Sequence, residues 1–240
     1  MCIRDRADAV VDVDHTWSYG EMADQRGRVS TALRMLGIEP GMRVGVHCNK
    51  SADGLIAMHA VVSVGAIAVP LDPTSPPLRL ARICEHMQID VVISHSPRST
   101  SLRALHLISP LRGVVGVNIE TDSVGLECIG PDDIALLDPT PPSSIEDHQA
   151  SYIITTSGST GEPKGIVHSH RSALAYAEMT ERTFALTTID RVSDIAPLHF
   201  DISTFAVWSV PLVGATSVVV NEAYQPVSYT HLTLPTNREV

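Results

Sequence analysis

Hydroxyls, glycines and a single lysine crowd together in Thr155-Thr156-Ser157-Gly158-Ser159-Thr160-Gly161-Glu162-Pro163-Lys164-Gly165. A loop of this composition suits a polyanion. Small residues let backbone N–H groups approach phosphate oxygens, hydroxyls donate further hydrogen bonds, and a lysine supplies a point charge. Thr155, Thr156, Ser157, Gly158, Ser159, Thr160, Gly161 and Lys164 are therefore candidate phosphate-binding residues. The alternative is a hydroxyl-rich hairpin turn without a ligand, but a plain turn needs neither these hydroxyls nor a lysine after a proline. The Walker loop is excluded, because Lys164 follows Pro163 and precedes Gly165 instead of a Ser or Thr. The dinucleotide fingerprint is absent, since no helix directly follows Gly158 and Gly161. Neither Ser157 nor Ser159 sits in a G-x-S-x-G elbow.

The elements that must hold this loop are legible on both sides of it. Tyr152, Ile153 and Ile154 read as a buried strand, Ile166 and Val167 resume an apolar strand, and a helix is expected from Ser169. Upstream, Ser18-Tyr19-Gly20-Glu21 has the form of a capping box ahead of Met22, Val29, Leu33 and Leu36, and Gly37 closes that helix. Strands are expected at Val44–Cys48, Ile67–Leu71 and Val91–Ile93. Helices carry Leu55, Met58 and Val62 after Ser51, and Leu80, Ile83 and Met87 after the prolines of 70–77. Downstream, a strand near Val192–Ala196, a helix through Phe205, Trp208 and Leu212, and a strand at Thr216–Val220 complete the pattern. Strands alternating with amphipathic helices predict α/β architecture with mainly parallel sheets flanked by helices.

Residues 131–150 interrupt this alternation with prolines and five acids, without Lys or Arg, and read as an acidic, Pro-rich linker. It would separate a first α/β subdomain over 7–130 from a second over 151–226 that carries the loop. The ends, residues 1–6 and 227–240, fit no periodicity and are expected to be foreign tails from vector or adaptor sequence. An uninterrupted native reading frame in the source DNA around codon 227 would sink that expectation.

Composition narrows the function classes. The chain has 240 residues, 44% hydrophobic and 18% charged, as expected for a globular protein with a real core. A formal net charge of −10 argues against nucleic acid as the main partner, though one local loop can still hold a nucleotide. Four cysteines without a CxxC pair favour a reducing, cytoplasmic setting, and Cys48 and Cys84 read as core residues. No apolar run is long enough for a membrane span. His168 and His170 sit two apart without a third ligand at a natural spacing, so a structural or solvent role is expected.

The loop resembles the signature T-S-G-[ST]-T-G-x-P-K-G of the adenylate-forming superfamily, which contains acyl-CoA synthetases, luciferases and adenylation domains of nonribosomal peptide synthetases. It is matched from Thr156 to Gly165. Trp17-Ser18-Tyr19-Gly20-Glu21-Met22 and Gly65-Ala66-Ile67-Ala68-Val69-Pro70-Leu71-Asp72-Pro73 are similar to two earlier family segments, and the likeness runs from about Ala9 to Gln225. The resemblance implies the N-terminal part of the family's large domain, truncated, and an AMP-forming ligase. ATP with Mg2+ would activate a carboxylate as an acyl-adenylate, and a thiol would then take the acyl group. Lys164, Thr160 and His199 would be catalytic, with Thr160 a candidate for holding Mg2+. Pro197-Leu198-His199-Phe200-Asp201-Ile202-Ser203 resembles the F-D-x-S segment of amino-acid-activating members, in which the aspartate pairs with the substrate's α-amino group. A partly desolvated ammonium needs such a countercharge; the competing role for Asp201 is a helix N-cap. His199, Phe200, Ile202 and Phe205 join Asp201 as candidate substrate-binding residues. An amino acid and a carrier-protein phosphopantetheine thiol are the implied partners. An acid–CoA ligase and a non-catalytic nucleotide-binding fragment are the alternatives. Later family motifs find no match after Val220, so the 240-residue chain alone is expected to be inactive.

Overall fold

The computed structural model describes residues 3–95, 98–116, 126–157 and 163–220. A short 3-10 turn at Ile3–Arg6 leads into β1 (Asp8–Val11), β2 (Thr16–Ser18) and α1 (Tyr19–Met35). Strands and helices then alternate as β3 (Arg43–His47), α2 (Ala52–Ser63), β4 (Ile67–Pro70), α3 (Pro77–Met87), β5 (Val91–Ser94), α4 (Ser99–Ile108) and β6 (Gly113–Val115). After β7 (Glu127–Ile129) and α5 (Pro131–Leu136) come β8 (Ala150–Ser157), β9 (Pro163–Ser169), α6 (His170–Phe184), β10 (Arg191–Asp194), α7 (Val210–Val213) and β11 (Thr216–Val219).

Helix starts follow their local chemistry. Ser18 Oγ accepts from Glu21 N at 3.2 Å while Ser18 N donates to Glu21 Oε2 at 2.8 Å, so the capping box is complete. Ser51 and Ser169 cap α2 and α6 by accepting from Gly54 N and Ser172 N. Gly37, beyond α1, takes a φ of 68°, which only glycine adopts without strain.

Two sheets result. The larger runs β7-β6-β5-β3-β4-β8-β9 and the smaller β10-β11-β1-β2. The hairpins β1–β2 and β8–β9 are antiparallel and the other pairings are parallel, so the α/β class with mainly parallel sheets is what the chain adopts. Each sheet takes strands from both sides of residues 131–150. The parallel strands β3 to β6 of the larger sheet are buried on both faces, as such strands require. Val44, Val46, Ala68, Val91 and Ile93 face a core shared with α1, α2 and the smaller sheet. Val69, Val92 and Val114 face a second core with Leu80 and Ile83 of α3 and Leu102 and Leu105 of α4.

Residues 131–150 begin with α5 and then run as a strap over α1 and α2. Arg28 Nη1 donates to the Ala135 and Leu137 carbonyls, Thr140 N to Gly27 O at 3.1 Å, and Ser143 N to Ser63 O at 2.8 Å. A segment lacking cations thus offers its carbonyls to donors elsewhere in the chain. The expected helix through Phe205, Trp208 and Leu212 is instead composite. A 3-10 turn at Asp201–Ser203 is followed by a π-turn at Phe205–Ser209 and only then by α7. Pro211 has no N–H to return to the preceding turn, and Val210 N–H reaches back to Phe205 O.

His47 at the end of β3 is fully buried, between Ser94 Oγ at 3.2 Å and Ser101 Oγ at 3.3 Å. Burial, then the charges of Arg98 and His95, hold its pKa down to about 4, against the opposing pull of Asp72. A base whose pKa is lower in the folded chain binds its proton more readily when unfolded. Stability therefore rises with pH between about 4 and 6.5, and the loss at the acid end is roughly 3 kcal/mol. Urea unfolding at pH 4.5 and 7 should show this slope, and His47→Gln should reduce it to the part left by His59, whose pKa burial likewise lowers to about 4; an equal slope in the variant would refute the assignment.

Candidate active site

The described residues of the loop candidate, 155–157 and 163–165, lie at the turn end of the β8–β9 hairpin, at the edge of the larger sheet. Pairing runs from Ala150↔Ser169 through Tyr152↔His168, Ile154↔Ile166 and Thr156↔Lys164 to Ser157↔Pro163. Side chains alternate across a strand, so Tyr152, Ile154 and Thr156 share one face of β8, and their partners His168, Ile166 and Lys164 continue it on β9. Thr155 is half-buried, while Thr156 and Lys164 are exposed. Gly165 is fixed by packing. A Cβ there would lie 2.7 Å from both Ile153 Cγ2 and Met87 Cε, so a larger residue directly after Lys164 would have to displace those side chains. Ser157 ends β8; Gly158, Ser159, Thr160 and Gly161 lie outside the described residues, and with them the candidate metal contact at Thr160. Hairpin and phosphate loop were rival expectations; the described residues form a hairpin with the lysine beside its turn.

The second constellation splits into two groups. Asp201 and Ile202 line a cleft of about 440 Å³ together with Tyr152, Ile154, His168 and Tyr176, with Ser172 and Thr204 adding hydroxyls. Asp201 makes no helix cap. Its Oδ1 accepts from the adjacent Ile202 N at 2.8 Å, and the cap position belongs to Phe200, whose side chain makes no capping bond. The carboxylate is exposed at the cleft wall. Phe205 packs edge-on against Phe184, with ring centroids 5.7 Å apart, and Phe200 lies against His199 at 4.5 Å. His199 also acts on Asp72. Burial pushes the Asp72 carboxyl up, but bonds from Thr74 and Ser75 and the His199 charge outweigh it, and the net shift is downward.

The cleft also contains residues to which the sequence had assigned no site role. Tyr152 and His168 stack face to face, 4.5 Å apart and 4° from parallel, and Tyr152 is further backed by Trp208 at 5.6 Å. Burial pushes the Tyr152 phenol up to about 12, which keeps it protonated. The strand register was the available signal, since any hairpin centred on residues 158–162 sets residue 168 across from 152. His170, by contrast, opens α6 and does not share the strand with His168, and no described group of His, Cys, Asp and Glu is arranged to hold a metal.

The profile of the family described as AMP-binding enzyme matches residues 4–233. The L-proline–[L-prolyl-carrier protein] ligase of Pseudomonas fluorescens is 32% identical over 228 residues, covering 91% of this chain and 43% of that protein. A solved AMPPNP-bound nonribosomal peptide synthetase, FmoA3, superposes with a TM-score of 0.78 at 27% identity, over 95% of this chain and 23% of that one. Apo MatB from Rhodopseudomonas palustris shares the fold with a TM-score of 0.78 at 18% identity, over 97% of this chain and 45% of its own. The chain thus spans less than half the length of these relatives. Among the described residues no helix is long and apolar enough to cross a membrane. With the family profile matched over nearly its whole length, the chain belongs to the family of AMP-binding enzymes.

Proposed function

We propose that the protein carrying this chain activates an amino acid with ATP and passes it to the phosphopantetheine thiol of a carrier protein. One observation carries this reading: the Asp201 cleft and Lys164 are joined by a single continuous face of the β8–β9 hairpin. Tyr152 and Ile154 line the cleft, and Thr156, with Lys164 opposite, follows on the same face. At about 3.3 Å per residue, the hairpin mouth lies roughly 7 Å along the strand from Ile154. An amino acid held through its ammonium by Asp201 would present its carboxylate toward phosphates held at that mouth.

A carboxylate oxygen attacks the α-phosphorus of ATP, an acyl–O–P bond forms, the α–β phosphoanhydride breaks, and pyrophosphate departs. Thr156 and Lys164 would bind the leaving phosphates, with Lys164 countering charge that grows as the bond breaks, whereas the half-buried Thr155 side chain falls on the opposite face of β8. His199, beside Phe200 at the approach to Asp201, would gate the carboxylate. A thiolate would then attack the acyl carbon and expel AMP. The exposed threonine hydroxyl and ammonium at the mouth fit a phosphate chain. Mg2+ would accompany ATP and offset its charge; its candidate ligand Thr160 lies outside the described residues.

The test is amino-acid-dependent ATP–pyrophosphate exchange by the full-length protein. Asp201→Ala should lower kcat/KM for the amino acid roughly a hundredfold, because the bound ammonium loses its countercharge. A ligase for simple acids would tolerate the change, so an unaltered kcat/KM would favour acid–CoA ligation. Residues 1–240 alone, which correspond to 43% of the prolyl ligase's length, are expected to show no exchange; measurable exchange would overturn that.

A further inference from the structure

The cleft beside Asp201 has one wall built from rings. His168 lies flat on Tyr152, Tyr152 leans on Trp208 at a tilt of 33°, and Trp208 meets His59 edge-on at 5.3 Å. The stack thus runs from the cleft into the core between the sheets. Tyr152 is only 3% exposed, held between neighbours on both sides. The π-turn that carries Trp208 is itself tied to α6 by a buried hydrogen bond from Thr180 Oγ1 to Ser209 Oγ at 2.7 Å. A wall braced in this way has little freedom to reshape around a substrate.

His168 ends the stack on the cleft side. It stands on β9, the outer strand of the larger sheet, so no further strand among the described residues covers the ring opposite Tyr152. Ile154 and Ile202 supply apolar surface next to it, and the hydroxyls of Ser172 and Tyr176 stand at the same cleft. Aromatic planes prefer offset stacking or edge contact with other rings, whereas a branched aliphatic group gains only area burial there.

Resting on the adenylation reading above, we propose that His168 is a specificity-determining residue that favours amino acids with flat aromatic or heteroaromatic side chains. The side chain would extend the His168–Tyr152–Trp208 stack while Asp201 holds the ammonium. The preference is then a property of the β8–β9 register as much as of the segment around Asp201.

The experiment is ATP–pyrophosphate exchange by the full-length protein across the twenty common amino acids, for the parent chain, His168→Val and His168→Phe. The parent should prefer aromatic substrates. His168→Val should lower kcat/KM for them roughly three- to tenfold, mainly through KM, and change aliphatic substrates by less than about twofold. His168→Phe keeps a flat ring against Tyr152 and should retain the parent's ranking; it carries the test if the valine variant does not fold. A parent preference for aliphatic substrates, or an equal loss for every substrate in His168→Val, overturns this proposal and leaves adenylation standing. Absence of exchange with every amino acid in the parent overturns both.

Discussion

Replacing Lys164 with alanine should lower amino-acid-dependent ATP–pyrophosphate exchange by about 10²- to 10³-fold, the scale reached when one preorganised group is removed from a developing charge. The position supports so large an effect. Lys164 pairs across the hairpin with Thr156 next to the turn, and the neighbouring Gly165 packs closely on Ile153 and on Met87 of α3. Its own side chain is exposed, so the ammonium can reach a phosphate chain without first breaking a buried pair. Charge accumulates on the pyrophosphate oxygens as the α–β bond breaks, and the loss should fall mainly on kcat. The amino acid's KM should change little, since its ammonium is held at Asp201. Lys164→Arg restores the charge without the compact ammonium and should recover only part of the rate. Exchange at the parental rate in Lys164→Ala would remove the hairpin from the chemistry.

How far the sequence could be read depended on how local the determining forces were. Ser18, Ser51 and Ser169 act within a turn of the helices they cap; the first two are visible as N-caps, and Ser169 reads as the start of its helix. The buried parallel strands were equally plain, because both faces are covered and the apolar runs are nearly continuous. β9 shows where local pattern misleads. Ile166 and Val167 read as an ordinary apolar strand, yet they are 51% and 60% exposed, since the strand lies at the sheet edge. The π-turn at Phe205–Ser209 was invisible to helical spacing, which assumes an unbroken α-ladder through Pro211. In the site, a motif marked Lys164 and Asp201, but only the strand register reveals that Tyr152 and His168 share a cleft with Asp201. Contacts between distant segments, such as Lys50 with Asp194, left no mark at all in any window of the sequence.

That last pair carries the largest expected stability effect. Lys50 lies between β3 and the start of α2, and Asp194 ends β10, so their ion pair ties the larger sheet to the smaller. Their side chains are 1% and 3% exposed. Burial raises the Asp194 pKa more than the neighbouring Lys50 charge lowers it, and Asp12 adds to the rise. Taking away one partner strands a charge in the interior, so Lys50→Met should cost about 3–5 kcal/mol of unfolding free energy. Lys50→Met combined with Asp194→Leu should recover most of that loss, because an apolar pair of similar volume has no charge to desolvate. The pH dependence has a definite sign. An acid whose pKa is raised by folding imposes no penalty below its unfolded value, near 3.8, and an increasing one as pH climbs toward the folded value. Without Lys50 the folded value moves further up, so the gap between parent and Lys50→Met should widen from pH 5 to pH 8. Urea titrations of parent, single and double variants at both pH values decide the matter. A single-variant loss below about 1 kcal/mol, or a gap that narrows as pH rises, would show that the two sheets are held together by other contacts.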